Sequence, residues 1–280
     1  MTEKNENLEN LLIRKIVLCN AEEKYGPGSK ALFASQTIEQ GQVVLECDEL
    51  TCDYAIRDTD KDMLKTKEEI INCCNTMPEY EPILMYYQIM VDQDLFMVPR
   101  LWKEKKLVCI CAFFNHSCDP NCGYKGNAII SLKNINAGEE VTIDYQMFET
   151  ESGFASGLKC LCGSNNCRGV LSFDQYRNVE WVAKYYDYSS SYVKSRIDDL
   201  RERWFSSQCY VKRFEPLEKG LVALKGIEPD TLVAIFSKDI KPEMHYIRPS
   251  INPNCYLVGN DVYTLYKVEP DEELTLKYSL

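Results

Sequence analysis

Asn115-His-Ser-Cys-Asp-Pro-Asn-Cys122 is the stretch on which the reading of this chain turns. It follows an apolar run, Leu107-Val-Cys-Ile-Cys-Ala-Phe-Phe114, so a strand or short helix delivers a polar tight turn. Asp119-Pro-Asn121 forms turns because proline fixes φ and Asx side chains bond nearby backbone. His116 is one of 2 histidines. A lone histidine in such a place ordinarily makes a structural hydrogen bond. A Cys/His nucleophile pair with Cys118 is the competing chemistry, but both residues sit on one turn and no third group is evident to orient them.

Downstream, Ala137-Gly-Glu-Glu-Val-Thr-Ile-Asp-Tyr145 reads as a turn and a strand ending in tyrosine. Then comes Cys160-x-Cys162-x4-Cys167, with Gly163 to turn the chain. Three thiols this close can converge on one tetrahedral Zn²⁺, and a fourth ligand must then come from elsewhere. Cys19, Cys47, Cys73 and Cys74 have no ligand spacing and read as small buried apolar residues. With 14 cysteines and no basic n-region leading into an apolar run, the start of the sequence predicts a reducing, intracellular setting, cytoplasmic or nuclear.

Outward from the centre, residues 10–47 carry β-branched and apolar runs broken by Gly and Pro, a compact β pattern. Residues 61–76 change to helical spacing through Met63, Leu64, Lys67, Ile70, Ile71 and Cys74. A second short helix is expected over 82–91, strands over 107–145, and a tyrosine-rich helical stretch from about Asp174 to Phe205. An internal repeat dominates the last part. Asn115–Tyr145 lies on Arg248–Tyr278 without a gap over 31 residues, with 11 identities including Ser117/Ser250, Pro120/Pro253, Asn121/Asn254, Cys122/Cys255 and Glu140/Glu273. Upstream, Ala31-Leu-Phe-Ala…Ile38-Glu matches Gly220-Leu-Val-Ala…Ile227-Glu in the same order.

A net charge of −11 without a basic block argues against direct nucleic-acid binding, which needs clustered positive charge on phosphates. The same charge suits a basic protein partner. No apolar stretch approaches the ~18 residues of a membrane span, so no membrane partner is expected.

Together, Asn115–Cys122, Gly138–Tyr145 and Cys160-x-Cys-x4-Cys167-Arg-Gly169 resemble the SET-domain family of protein-lysine methyltransferases, with its post-SET cysteine cluster. Ala31-Leu-Phe-Ala34 with Ile38-x-x-Gly41 resembles the family's N-terminal cofactor strand. The resemblance implies a mostly β fold with α insertions, a knotted arrangement of several small sheets. It would span residues 10–172, with a helical insertion over about 48–106 and the post-SET cluster at 160–169. A helical linker, 173–205, and a second, degenerate SET-like β domain, 206–280, would follow. It further implies S-adenosylmethionine as methyl donor and a protein substrate, histone or not, presenting a lysine.

Carried over by position, Gly28, Ser29, Lys30, Ala31, Leu32, Asn115, His116, Tyr145 and Leu161 would bind the cofactor. Tyr145 and His116 would serve catalysis, with Tyr145 lining the junction between the methyl group and the lysine nitrogen. Ile143, Tyr86 and Tyr87 would form the lysine pocket. Cys118 would join Cys160, Cys162 and Cys167 around one structural zinc. The register gives Ser29-Lys-Ala31 where the family carries Gly-x-Gly, with glycines at Gly26 and Gly28, and Ala112 where it carries arginine. These departures motivate the competing reading, a SET-fold pseudoenzyme or peptide-binding module.

Overall fold

The computed structural model describes residues 15–47, 52–54, 61–107, 109–151, 153–215, 218–237 and 246–277. Residues 10–14 of the expected first domain, and Tyr278 of the repeat, lie outside these. The chain is mostly β, in several small sheets, the largest with five strands.

In chain order the first half holds β1 (Ile16–Asn20), α1 (Glu22–Tyr25), β2 (Lys30–Ala34) and β3 (Val43–Glu46). Next come β4 (Leu64–Thr66), α2 (Lys67–Thr76), α3 (Glu81–Leu84), β5 (Ile89–Asp92) and β6 (Leu95–Met97). β7 (Asn115–His116), β8 (Cys122–Lys125), β9 (Ala128–Ser131) and β10 (Thr142–Ile143) complete it. β1 pairs antiparallel with β2, and β3, β9 and β8 form one sheet. Between β1 and β2 the chain turns through Gly26 and Gly28 at φ of 96° and 79°, where L side chains are strained, yet a Cβ there would meet nothing within 4 Å. The positive φ values alone are enough for the turn to require glycine at both positions.

Two expected helices are partly strand. The helix predicted over 61–76 begins only at Lys67, because Thr66 and Glu69 form a reciprocal capping box that fixes its start. Leu64–Thr66 instead pairs with β6. The helix predicted over 82–91 ends at Leu84, and Ile89–Asp92 pairs with the other side of β6. The cysteine expectation also changes: Cys19 is exposed, and Cys47, Cys73 and Cys74 are only partly buried. The tyrosine-rich stretch holds α4 (Val179–Tyr185) and α5 (Ser191–Glu202), each started by a side-chain cap, Asn178 and Ser190.

The second half contains β11 (Cys209–Glu215), β12 (Glu218–Ala223), β13 (Leu232–Ile235), β14 (Arg248–Pro249), β15 (Cys255–Val258), β16 (Asp261–Thr264) and β17 (Thr275–Leu276). The repeated sequence carries repeated geometry. β7 and β10 pair in parallel, Asn115 opposite Thr142 and His116 opposite Ile143. β14 and β17 pair in parallel at the aligned positions, Arg248 opposite Thr275 and Pro249 opposite Leu276. Asn121 donates from Nδ2 to the Glu140 carbonyl at 2.8 Å and accepts at Oδ1 from the Thr142 N–H at 2.8 Å. Asn254 does the same to Glu273 and Thr275, both at 2.7 Å. A side chain that offers one donor and one acceptor thus satisfies two backbone groups at a crossing where the ladder cannot.

At the position aligned with Asn115 the second segment makes different contacts. Where Asn115 stands in the first, Arg248 in the second stacks its guanidinium 4.4 Å over the Phe214 ring and pairs with Glu273 and, at 3.0 Å, Glu218. A bidentate, stacked arginine thus stands where the first segment has an asparagine bonded to Lys30 and Glu140.

Each half has its own core. Leu32, Ile38, Cys122, Ile135 and Val141 are wholly buried in the first, and Leu221, Ile227, Val233, Val262 and Leu274 in the second. A third cluster joins α2, β5 and β6 to α4 and α5, and Leu200 packs against both it and the second-half core. Arg213 and Lys219 pair with Asp92, so β11 and β12 are tied to the end of β5. Among the described residues no helix is long and apolar enough to cross a membrane.

Candidate active site and cysteine centre

The parallel pair β7/β10 brings Asn115, His116, Ile143 and Tyr145 to one place. Asn115 donates from Nδ2 to the Lys30 carbonyl at 2.9 Å and to Glu140 at 3.1 Å. Glu140 also binds Lys24 at 2.7 Å and the Tyr25 hydroxyl at 2.9 Å, so the turn before β2 is held against β7. Tyr25, Lys30 and Asn115 border a cavity of about 1140 Å³. One group of its lining residues is Tyr25, Gly28, Ser29, Lys30 and Asn115; another is Tyr54, Tyr87, Phe113 and Tyr124. Tyr145 and Ile143 line the same cavity, as does Tyr86, which is largely exposed. The volume exceeds the ~300–1,000 Å³ of an ordinary small-molecule site, which leaves room for a cofactor and an extended side chain together.

Not every expected cofactor residue faces this space. Ala31 and Leu32 are fully buried within β2 and support the strand. Leu161 is half exposed and is not part of the lining, whereas Leu158 and Leu171 are. His116 turns its ring the other way, to the cysteines.

The Tyr145 hydroxyl donates to the Phe114 carbonyl at 3.0 Å, and its ring lies 5.4 Å from both the His116 and Phe148 rings. Burial holds the phenol protonated far above neutral pH, with the nearby Tyr25 and Glu149 adding to the effect. Such a hydroxyl orients by hydrogen bonding; it does not act as a base near neutrality.

His116 Nδ1 accepts from the Tyr145 N–H at 3.2 Å, and Nε2 lies 3.2 Å from the Cys118 sulfur. Burial lowers its pKa to about 4, against the opposing pull of Asp144, so the ring is neutral near pH 7. A neutral imidazole that accepts at Nδ1 carries its proton on Nε2. The ring therefore donates to Cys118. Cys118 in turn lies 3.7 Å from Cys160, and one ligand atom each from His116, Cys118, Cys160 and Cys162 falls within 4.8 Å of the others. Cys167 is exposed, lies outside that group of four, and accepts the Gly169 N–H at 3.4 Å. Thiolate and imidazole donors in this number suit tetrahedral zinc.

Two groups near the site escaped the reading of the sequence. Asp144 is fully buried and accepts from both sides: Arg168 binds its two oxygens at 2.8 Å each, and Trp181 Nε1 donates at 3.0 Å. This carboxylate joins the residue beside Tyr145 to the cysteine segment and to α4. The other is Glu149, buried in the cavity wall, with burial pushing its pKa from the ordinary 4.5 up to about 8. The folded protein keeps a proton that the unfolded chain loses above about 4.5, so stability should decline as pH rises from there to about 8. Melting temperatures measured across that window should fall for the wild type and fall less for Glu149→Gln; equal slopes would contradict the assignment.

Residues 29–146 match the family model described as "SET domain". The chain therefore carries a SET domain over that span. Among curated proteins, it aligns over 71 residues at 44% identity with the "Histone-lysine N-methyltransferase, H3 lysine-4 specific" of Eremothecium gossypii, covering 22% of this chain and 7% of that protein. The Saccharomyces cerevisiae protein of the same description is 44% identical over 71 residues, covering 22% and 6%, and that of Candida albicans 39%, covering 22% and 7%. The alignments thus span less than a tenth of these relatives' length.

Proposed function

We propose that this chain is an S-adenosylmethionine-dependent protein-lysine N-methyltransferase. The observation that carries this is the Tyr145 hydroxyl in the wall of a single cavity, bordered both by Gly28, Ser29, Lys30 and Asn115 and by Tyr87 and Ile143. The polar group fits a zwitterionic methionine moiety: Ser29 offers a hydroxyl and Lys30 a cation for its carboxylate. Ala155, Leu158 and Leu171 supply apolar surface for a purine. When bound, S-adenosylmethionine supplies an electrophilic methyl group on a sulfonium. The chain's own task is then to deliver a neutral amine in line. The aromatic wall of Tyr54, Tyr87, Phe113 and Tyr124 desolvates the lysine, which lowers its pKa. Tyr145 and the Phe114 carbonyl orient the nitrogen.

The relatives' description names a histone lysine, and the acidic surface of this chain favours encounter with a basic protein. A lysine-bearing protein, with histones the first to try, is the substrate we propose, and the nucleus the setting. Incubating the purified chain with labelled S-adenosylmethionine, histones and cell lysate should transfer label to protein. Absence of both transfer and cofactor binding would refute the proposal. Ile143 offers no hydroxyl to hold the amine or a water, so the pocket should permit rotation of a methylated amine. Di- or trimethyl-lysine is the expected end product by mass spectrometry, and monomethyl-lysine alone after long reaction would oppose that reading.

In the same proposal Cys118, Cys160, Cys162 and Cys167 hold one structural zinc, with His116 as a hydrogen-bond donor to Cys118 that couples the metal to the Tyr145 backbone. Cys167→Ser should lower zinc content by about one per chain while His116→Gln leaves it unchanged. The reverse pattern would make His116 the ligand. Residues 206–280 we read as a degenerate SET-like unit without chemistry of its own, a reading supported by the filled position at Arg248.

A further inference from the structure

A second group of four cysteines lies apart from the first. Cys47 follows β3 and Cys52 lies just beyond it in sequence; Cys109 and Cys111 precede β7. Their four sulfurs lie within 4.8 Å of one another, with Cys52 buried and the others partly so. Nothing in their spacing announces this, because the insertion separates Cys47 and Cys52 from Cys109 and Cys111.

We propose that Cys47, Cys52, Cys109 and Cys111 form a second zinc centre, a four-thiolate structural site. Regular tetrahedral coordination with Zn–S of ~2.3 Å places sulfurs about 3.8 Å apart, so small movements suffice from the separations seen. The surrounding backbone has the features of the first centre. The Tyr54 N–H points at the Cys52 sulfur at 3.5 Å and the Cys111 N–H at the Cys109 sulfur at 3.4 Å. In the post-SET segment the Gly169 N–H meets Cys167 in the same two-residue turn at 3.4 Å, and the Arg168 N–H meets Cys118 at 3.4 Å. Backbone donors aimed at sulfur stabilise thiolate, the form that binds metal. Asp53, fully buried between Cys52 and Tyr54, accepts the Cys109 N–H at 2.6 Å, and its carbonyl accepts the Arg100 N–H at 2.9 Å. The two cysteine pairs are therefore fixed to each other through the backbone as well as through sulfur.

An all-sulfur donor set is soft, which selects zinc over magnesium or calcium, and four protein ligands leave no open position for catalysis. The centre's use is mechanical. Cys47, Cys52 and Cys111 line the cavity beside Tyr54 and Tyr124, and Cys111 begins the short run that ends at Asn115. Zinc here would root both ends of the insertion in the cavity wall and fix the approach to β7.

The test is metal stoichiometry, by elemental analysis and native mass spectrometry of the whole chain after removal of loosely bound metal. Wild type should hold about two zinc per chain; Cys162→Ser, Cys109→Ser and the double variant should hold about one, one and none. Cobalt substitution of Cys162→Ser should still give the intense visible bands of a tetrahedral thiolate site. About one zinc in the wild type, abolished by Cys162→Ser alone, would overturn the proposal, as would iron or a pair of disulfides at these four cysteines. Should Cys109→Ser fail to accumulate, the wild-type count and the Cys162→Ser cobalt spectrum still decide. The first centre can fail its own test without affecting this one, since each is probed by a different variant.

Discussion

Tyr145→Phe should lower methyl-transfer turnover by ~10²-fold or more, with cofactor affinity and melting temperature close to wild type. The substitution keeps the ring, and with it the contacts to His116 and Phe148, and deletes only the hydroxyl that bonds the Phe114 carbonyl. Tyr145 also donates its backbone N–H to His116, and that bond is unaffected by the change. What is lost is a fixed donor–acceptor pair beside the nitrogen, an interaction realised as the amine takes up its line of attack. The effect should therefore fall on kcat more than on KM. Single-turnover assays with saturating cofactor measure this directly. Wild-type turnover in Tyr145→Phe would remove the hydroxyl from the mechanism.

Asp144→Ala should cost on the order of 3 kcal/mol in stability, because it breaks a buried ion pair and leaves its partners behind. Arg168 would lose both of its 2.8 Å bonds, and the Trp181 indole its buried acceptor. Asp144→Asn, which keeps shape and one acceptor, should cost less. Since Asp144 links three segments, the damage should extend beyond stability to looser zinc retention in the cysteine segment. Chemical denaturation gives the energy and chelator-release rates give the retention. A loss below about 1 kcal/mol for Asp144→Ala would mean that the network relaxes around the missing carboxylate.

The parts of the site written in contiguous sequence were legible. Asn115–Cys122 and the strand to Tyr145 announce a turn and a strand, and the cysteine spacing from Cys160 announces thiols that Cys118, with His116, meets in space. Groups that meet only through the fold were not. Asp144, Arg168 and Trp181 come from a strand end, a cysteine loop and a helix, and nothing local in any of them points to the others. The same holds for Cys47 and Cys52 against Cys109 and Cys111. The strands misread as helix, Leu64–Thr66 and Ile89–Asp92, fail for a related reason: their pairing with Leu95–Met97 is a tertiary choice that overrides the apolar period.

The arginine aligned with Asn115 bears on how the molecule would respond to a ligand. Arg248 is held by Phe214, Glu273 and Glu218 at the position where the first segment has Asn115 in a cavity wall. Asn115 borders a cavity, and any small molecule binding there adds RT ln(1 + [L]/Kd) to the stability of the folded chain. Amide hydrogens in β7 to β10 would exchange more slowly as ligand rises, and any slowing in β14 to β17 would report how far Leu200 and the Asp92 ion pairs pass that stabilisation along the chain.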